Sequence, residues 1–447
     1  MTYIPHSPKE REEMLKVVGV EKMEDLFDAI PEKHRYPELN LPDALTEMEA
    51  VVELNEIAAA NETTKDLVSF LGAGVYNHYI PAAIDHILTR GEFYTAYTPY
   101  QPEISQGTLQ AIFEYQSMIA HLTGMDVANA SHYDGATAVA EAVNMALAKF
   151  RGKRKKIIMS AGVHPQYRET ASTYTQFAEI EFVGANGSTT PDLSQKHARP
   201  EDLIPLIDKN TALVVVQYPD FYGRIFDFTK LADAAHEAKA LLCVVANPTA
   251  LGILKTPGQM GADIVVGEGQ PLGISMNFGG PYLGFFSTRD KFVRKMAGRL
   301  VGESVDTRGQ RGFVLTLTPR EQHIKRERAT SNICSNQGLL TLAAGVYMSL
   351  LGQSGMKKVA ELCYHKAHYA AEKIAEIDGF SLAYDTPFFH EFVVNCPLPV
   401  AKINARLLEN GILGGYDLGE NRMLIAVTEM NSKEEIDVFT DLLAEVG

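Results

Sequence analysis

Cysteine is scarce: the chain has four in 447 residues. Cys243, Cys334, Cys363 and Cys396 lie far apart with no C-x-x-C pair, which excludes a zinc ribbon or a redox dithiol and reads as buried free thiols in a reducing cytosol. No H-E-x-x-H or facial-triad spacing links the histidines and carboxylates, so no metal is expected. Long apolar runs are missing as well. Those around Val214 and Val244 fall short of the ~18 residues a membrane span needs, and Met1 to Glu10 has no apolar core of a signal peptide. Positive charge is in deficit, 41 Lys+Arg against 56 Asp+Glu for a net charge of -15. Such a field repels nucleic acid and anionic lipid. Even Lys153-Arg154-Lys155-Lys156 has no interleaved aromatics and reads as a solvated turn. No internal repeat or low-complexity tract occurs. The expectation is a cytoplasmic globular protein with no membrane and no nucleic-acid partner.

With 46% hydrophobic residues, the chain can build a large core and a smaller second domain, because single cores rarely grow past roughly 300 residues. Ser7-Pro8-Lys9-Glu10 predicts a capping box opening a helix through Met14, Leu15 and Val18. It begins a helical N-terminal arm over residues 1–65. From Leu109 onward, helical stretches alternate with β-rich runs at Met125–Ala128, Ile157–Ser160, Glu179–Val183, Leu213–Gln217, Leu241–Ala246, Ile264–Gly267 and Tyr282–Ser287. Strands separated by helices predict right-handed crossovers and a mostly parallel, doubly wound sheet, here a large α/β domain over 66–345. Thr318-Pro319-Arg320-Glu321 predicts a second capping box and a basic helix carrying His323, Lys325, Arg326 and Arg328. The apolar helix Gly338–Leu351 then leads to a small α/β domain over 346–447, with strands at Phe380–Tyr384, Glu391–Asn395 and Met423–Val427 and helices at Val400–Glu409 and Lys433–Glu445.

Several segments collect where ligands of open α/β sheets bind, beyond the strand ends. Tyr133-Asp134-Gly135-Ala136-Thr137 starts a helix with small residues, which lets backbone N–H groups approach a phosphate under the helix dipole; a tight structural turn explains the same residues. His164, in Gly162-Val163-His164-Pro165, could stack on a flat aromatic cofactor or simply turn a corner. Asn247 ends the strand where a pyridoxal-phosphate enzyme keeps an aspartate against the pyridine nitrogen. Gln270, in Gly267-Glu268-Gly269-Gln270-Pro271, stands where such an enzyme carries its cofactor on a lysine. An amide nitrogen makes no imine, so neither anchor nor electronic partner is present. Lys255 is no substitute, being placed by its loop at the surface. Two further segments, Tyr94 to Gly107 and Arg328 to Gln337, are dense in tyrosine, hydroxyl and amide groups. They suit an interface or pocket as well as a loop pinned to its own core.

Phe70-Leu71-Gly72-Ala73-Gly74, Thr95 to Glu103, Ser105-Gln106-Gly107, Tyr133-Asp134-Gly135 and Ala329 to Cys334 together resemble the P-protein family of the glycine cleavage system, and in particular subunit 1 of its split, two-chain form. The resemblance covers nearly the whole chain. It implies the type I pyridoxal-phosphate-enzyme fold, similar to aspartate aminotransferase, with a mostly parallel seven-stranded sheet and a smaller C-terminal domain. It implies a two-plus-two heterotetramer with a subunit 2 that carries the pyridoxal phosphate, in that chain's His-Lys-Thr motif before a glycine run; here Gln270-Pro271 precedes Asn277-Phe278-Gly279-Gly280. The reaction implied is decarboxylation of glycine with transfer of the aminomethyl group to the lipoyl arm of H-protein. Tyr94, Tyr97, Thr98, Tyr100, Gln101 and Glu103, with Ser331 and Asn332, are then expected nearest the partner's cofactor. Tyr133, Asp134, Gly135, Ala136, Thr137, His164 and Asn247 would be a vestigial pocket. Two other readings fit the same residues: a lysine-independent enzyme holding pyridoxal phosphate non-covalently, and a structural or regulatory subunit.

Overall fold

The computed structural model describes residues 6–95, 97–185, 191, 193–194, 196–277, 280–334 and 337–446. Ala96, Phe278, Gly279, Ser335 and Asn336, all within the motifs above, lie outside the described residues. The chain divides into residues 1–62 and 63–447.

In the first unit, helix α1 (Pro8–Val18) starts at the expected capping box: the Glu10 carboxylate accepts from Ser7 N–H at 2.7 Å while the Ser7 hydroxyl accepts from Glu10 N–H. Helix α2 (Glu47–Ala59) repeats the device with Thr46 and Glu49. Neither helix buries a residue.

The second unit is built on seven strands: β1 (Val127–Ala128), β2 (Lys156–Met159), β3 (Glu181–Gly184), β4 (Thr211–Tyr218), β5 (Leu241–Ala246), β6 (Ile264–Glu268) and β7 (Gly284–Thr288). Their spatial order is β1-β7-β6-β5-β4-β2-β3. Neighbours from β3 to β6 run parallel, and β7 is antiparallel to both β6 and β1. Side chains of a strand alternate between faces, and a sheet covered on both sides therefore needs apolar residues at nearly every position. So Val214, Val216, Leu242, Val244 and Val265 enter one core with helix α3 (Gln106–Thr123), whereas Leu213, Val215, Cys243, Val245, Ile264 and Val266 enter another with helix α4 (Gly135–Lys149). Helix α5 (Pro165–Thr175) follows β2. This mostly parallel seven-stranded sheet is the one anticipated.

The long helix α6 (Gly338–Ala375) contributes Ala343 and Tyr347 to the first core and Ala367, Ala371 and Ile374 to a third. The helical path stops after Leu351, as expected, where Gly352 takes φ 58° and ψ -173°, a backbone state open to glycine; beyond this break the helix resumes to Ala375. One stretch of it is long and apolar enough to cross a membrane by composition, but its buried residues pack into these protein cores. The third core lies under an antiparallel sheet of β8 (Ser381–Leu382), β9 (Glu391–Asn395), β10 (Tyr416–Gly419) and β11 (Arg422–Ala426) in the order β8-β9-β11-β10. Helices Val400–Leu408 and Lys433–Val446 cover it.

Two expectations need correction. The capping box at Thr318 does not form. An antiparallel ribbon, Leu300–Val305 with Arg311–Thr316, delivers the chain to Leu317 at φ 53°, and only short turns follow. Arg320 faces backwards there, donating to the carbonyls of Met296, Leu317 and Gly298. The Lys153–Lys156 run is a solvated turn only in part: Lys153 and Lys155 are exposed, whereas Arg154 donates to the Thr211 and Ala238 carbonyls at 2.8 and 2.9 Å, and Lys156 to the Leu206 carbonyl and to Asp208, so these two cations tie the run to neighbouring segments.

Candidate functional site

The C-terminal ends of β4, β5 and β6 meet the segments after β2 and around Gly74, as the parallel order requires. The space they enclose is only about 30 Å³, lined by Gly74, Tyr76, His164, Tyr167, Gln217, Asn247 and Glu268 among others, room for a water or two. Gln270 is buried and its amide is engaged on both sides. Nε2 donates to the Tyr76 and Ile274 carbonyls at 2.9 and 2.8 Å, and Oε1 accepts from Tyr76 N–H at 3.0 Å.

The start of α4 is also taken. Asp134 caps it through Thr137 N–H at 2.7 Å, with Thr137 returning its hydroxyl. The Gly135 N–H, the donor a phosphate would use, goes to Glu268 Oε2 at 3.0 Å, while Glu268 Oε1 accepts from Gln270 and Leu283 N–H. Burial pushes this carboxyl up to about 8 against those three donors. A Cβ at Gly135 would strike the Tyr167 phenol, so tyrosine occupies the cradle that the small residues open.

His164 stacks on that same Tyr167, with ring centroids 4.7 Å apart and planes at 23°. Its Nε2 meets the Ala73 carbonyl at 2.9 Å and its Nδ1 accepts from Gln166 N–H, which fixes the tautomer; burial lowers its pKa to about 4, leaving it neutral. Asn247 spends its oxygen on Thr249 and Ala250 N–H. Pyridoxal phosphate does not fit these residues. Gln270 and Asn247 stand where the lysine and the ring-nitrogen aspartate would be needed, a carboxyl holds the helix start, and a phenol ring fills the stacking position. Lys255 is at the surface, paired with Asp227 and Thr229.

A larger space lies elsewhere, against α3. About 200 Å³ is bounded by Tyr94, Tyr97, Pro99, Arg299, Ile333, Cys334 and the start of α6. Beside it, about 120 Å³ is bounded by Tyr100, Arg299, Arg320, His323, Ser331 and Asn332. The two tyrosines of the first space are each 67% exposed, an unusual state for tyrosine in a folded core and an expected one at an uncovered interface. Tyr97 meets the Cys334 thiol at 3.0 Å, Tyr100 accepts from Arg299 at 2.8 Å, and Tyr133 accepts from Cys334 N–H at 2.7 Å. Ser331 bonds the buried Glu141, whose carboxyl burial raises to about 6. Tyr94, Tyr97, Tyr100, Ser331 and Asn332 are thus gathered around adjoining spaces. Thr98 is half-buried and Gln101 and Glu103 are exposed, and none of the three lines either space.

Sequence reasoning passed over Glu268, Tyr167, Glu141 and Arg299. A glutamate directly after an all-apolar strand was a usable signal for Glu268. Tyr167 lies only three residues after His164, but nothing local showed that it would fill the pocket; Glu141 and Arg299 come from other segments, and nothing local marks them.

A mostly parallel seven-stranded sheet with one antiparallel strand and a small C-terminal sheet defines the type I pyridoxal-phosphate-enzyme fold. A glutamate decarboxylase from Lactobacillus brevis shares it at a TM-score of 0.67 and 15% identity, over 94% of this chain and 96% of that one. The chain belongs to the glycine cleavage system P-protein family, whose model matches residues 1–443. Among its relatives, the probable glycine dehydrogenase (decarboxylating) subunit 1 of Thermomicrobium roseum is 52% identical, over 100% of this chain and 99% of the relative. That of Geobacillus kaustophilus is 52% identical over 99% and 98%. A crystal structure of an inhibitor-bound glycine decarboxylase (P-protein) matches at a TM-score of 0.91 and 42% identity, over 100% of both chains.

Proposed function

We propose that this chain is the cofactor-free subunit of a glycine-decarboxylating oxidoreductase of the cytoplasm, active only with a subunit 2 that carries pyridoxal phosphate. The observation behind this reading is the filled pocket: Gln270 satisfied by backbone, Glu268 on the Gly135 N–H, and Tyr167 under His164. A protein that bound the cofactor itself, even without a covalent bond, would need that volume. Decarboxylation of glycine is supported by the family and by the relatives' names; delivery of the aminomethyl group to the lipoyl arm of H-protein is the further step of this proposal. In a two-plus-two assembly this chain supplies wall and lining. The uncovered spaces at Tyr94, Tyr97, Tyr100, Ser331 and Asn332 suit that role, and Thr98, Gln101 and Glu103 belong to the same tyrosine-rich segment.

The test is glycine-dependent carbon dioxide exchange with lipoylated H-protein, measured for this chain, for subunit 2 and for the mixture. Exchange is expected in the mixture alone. Exchange by the pure chain, or a coloured pyridoxal-phosphate adduct on it that borohydride traps, would overturn the proposal.

A further inference from the structure

Three side chains from distant segments meet where the large sheet, α6 and the small sheet come together. His78 Nδ1, Cys363 Sγ and a Glu429 carboxylate oxygen all lie within 4.8 Å of one another. His78 follows the Gly74–Tyr76 segment, Cys363 lies on α6, and Glu429 follows β11. We propose that they form a zinc(II) site, with water completing the coordination.

The donor set is the first reason. One thiolate, one imidazole and one carboxylate suit a borderline-soft dication. The spacing is the second. Zinc bond lengths of ~2.0–2.3 Å in a tetrahedron set donors about 3.3–3.6 Å apart, whereas here Nδ1 and Glu429 Oε2 are 2.8 Å apart and Sγ and Oε2 3.3 Å. Those two edges need a few tenths of an ångström of opening to admit the ion, and the remaining nitrogen–sulfur edge lies within 4.8 Å.

Charge is the third. Zinc, one thiolate and one carboxylate sum to zero, and a buried site favours neutrality because uncompensated charge is costly there. The His78 and Glu429 side chains are 2% and 8% exposed.

The surroundings hold the ligands in place. Glu429 Oε1 accepts from Tyr79 N–H at 2.8 Å, and Lys366 donates to the Glu429 carbonyl at 2.6 Å, a cation that opposes the metal but favours the thiolate. Binding replaces the Cys363 thiol proton, which passes to solvent, with a zinc–sulfur bond; no electron moves. The ion would join the Tyr76–Tyr79 segment, α6 and the loop after β11, a structural role independent of the activity proposed above.

The test uses the full-length chain, stripped with a chelator and dialysed against zinc(II). About one zinc per chain should survive gel filtration, raising the unfolding temperature by mass action. Cobalt(II) in its place should give a thiolate charge-transfer band. Cys363→Ser should abolish the band and weaken zinc binding by more than about 100-fold, beyond the cost of losing an outer-shell partner, while Cys334→Ser should leave both intact. Failure to retain zinc, a cobalt spectrum with no thiolate band, or equal binding by Cys363→Ser would overturn the proposal. Should that variant not fold, the cobalt spectrum of the unaltered chain decides by itself.

Discussion

Glu268 shows how one carboxyl changes what a helix start can do. An α-helix leaves its first N–H groups unsatisfied, and in a phosphate site the ligand satisfies them; here Glu268 is a permanent partner for Gly135. Its folded pKa of about 8 against an ordinary 4.5 means that the native state holds a proton the unfolded chain has lost. This stabilisation is present below pH 4.5 and is lost as pH rises through about 8. Glu268→Gln cannot titrate, and it sets an NH₂ group against a backbone donor. It should be less stable than the parent by about 1 kcal/mol near pH 6. The difference should shift by about 2 kcal/mol in the variant's favour by pH 9, as read from urea midpoints. A constant difference across that range would show that Glu268 does not titrate there. Gln270→Lys should not create a cofactor site. It removes hydrogen bonds to Tyr76 and Ile274, and a spectrum with pyridoxal phosphate should show no imine. A stable imine band would mean that the pocket opens more readily than its packing indicates.

At the scale of elements, what the sequence disclosed follows from how local its cause was. β5 and β6 were legible because strands buried on both faces must be continuous apolar runs, and α1 because Ser7 and Glu10 sit at capping-box spacing. The ribbon at Leu300–Val305 and Arg311–Thr316 was not. Its outer residues Glu303, Ser304 and Val305 are exposed, so no apolar alternation marks it, and the false capping box at Thr318 followed from missing it. The end of the apolar helix at Leu351 was legible, but its resumption beyond Gly352 as far as Ala375 was not. The missing cofactor anchor was legible at Gln270 and Asn247, but the filling of the pocket by Tyr167 was not, since it depends on α5 lying over Gly135.

One joint between elements is open to a direct check. Gly223 lies just after β4 at φ 85°, and a Cβ there would run into the Glu391 carbonyl on β9. Beside it, Arg224 bridges to Phe388 and Ile225 N–H bonds the Pro387 carbonyl. Gly223→Ala combines left-handed strain with backbone overlap and should cost about 2–4 kcal/mol, seen as a lowered unfolding midpoint. A loss under about 0.5 kcal/mol, the range of a neutral surface change, would show that the joint yields.

For the whole molecule, the arm poses a problem that the chain alone does not solve. Met48, Val51, Val52, Leu54 and Ile57 on α2 are 52–75% exposed, and each such side chain gains roughly 1.5–3 kcal/mol when fully buried. Contiguous apolar surface of this kind marks an interaction site, and the relatives' designation as subunit 1 supplies the kind of partner to expect. If the arm packs on subunit 2, then Val51→Asp with Leu54→Asp, one helical turn apart on α2, should leave the unfolding midpoint of the isolated chain nearly unchanged, since neither residue is buried in it. The same pair should weaken co-elution with subunit 2 by tenfold or more, about 1.4 kcal/mol, and the exchange activity of the mixture should fall in parallel at limiting protein and recover at high concentration. Recovery separates loss of assembly from damage to the catalytic site. Unchanged co-elution would place the interface elsewhere, leaving the exposed tyrosines at Tyr94 and Tyr97 to carry it.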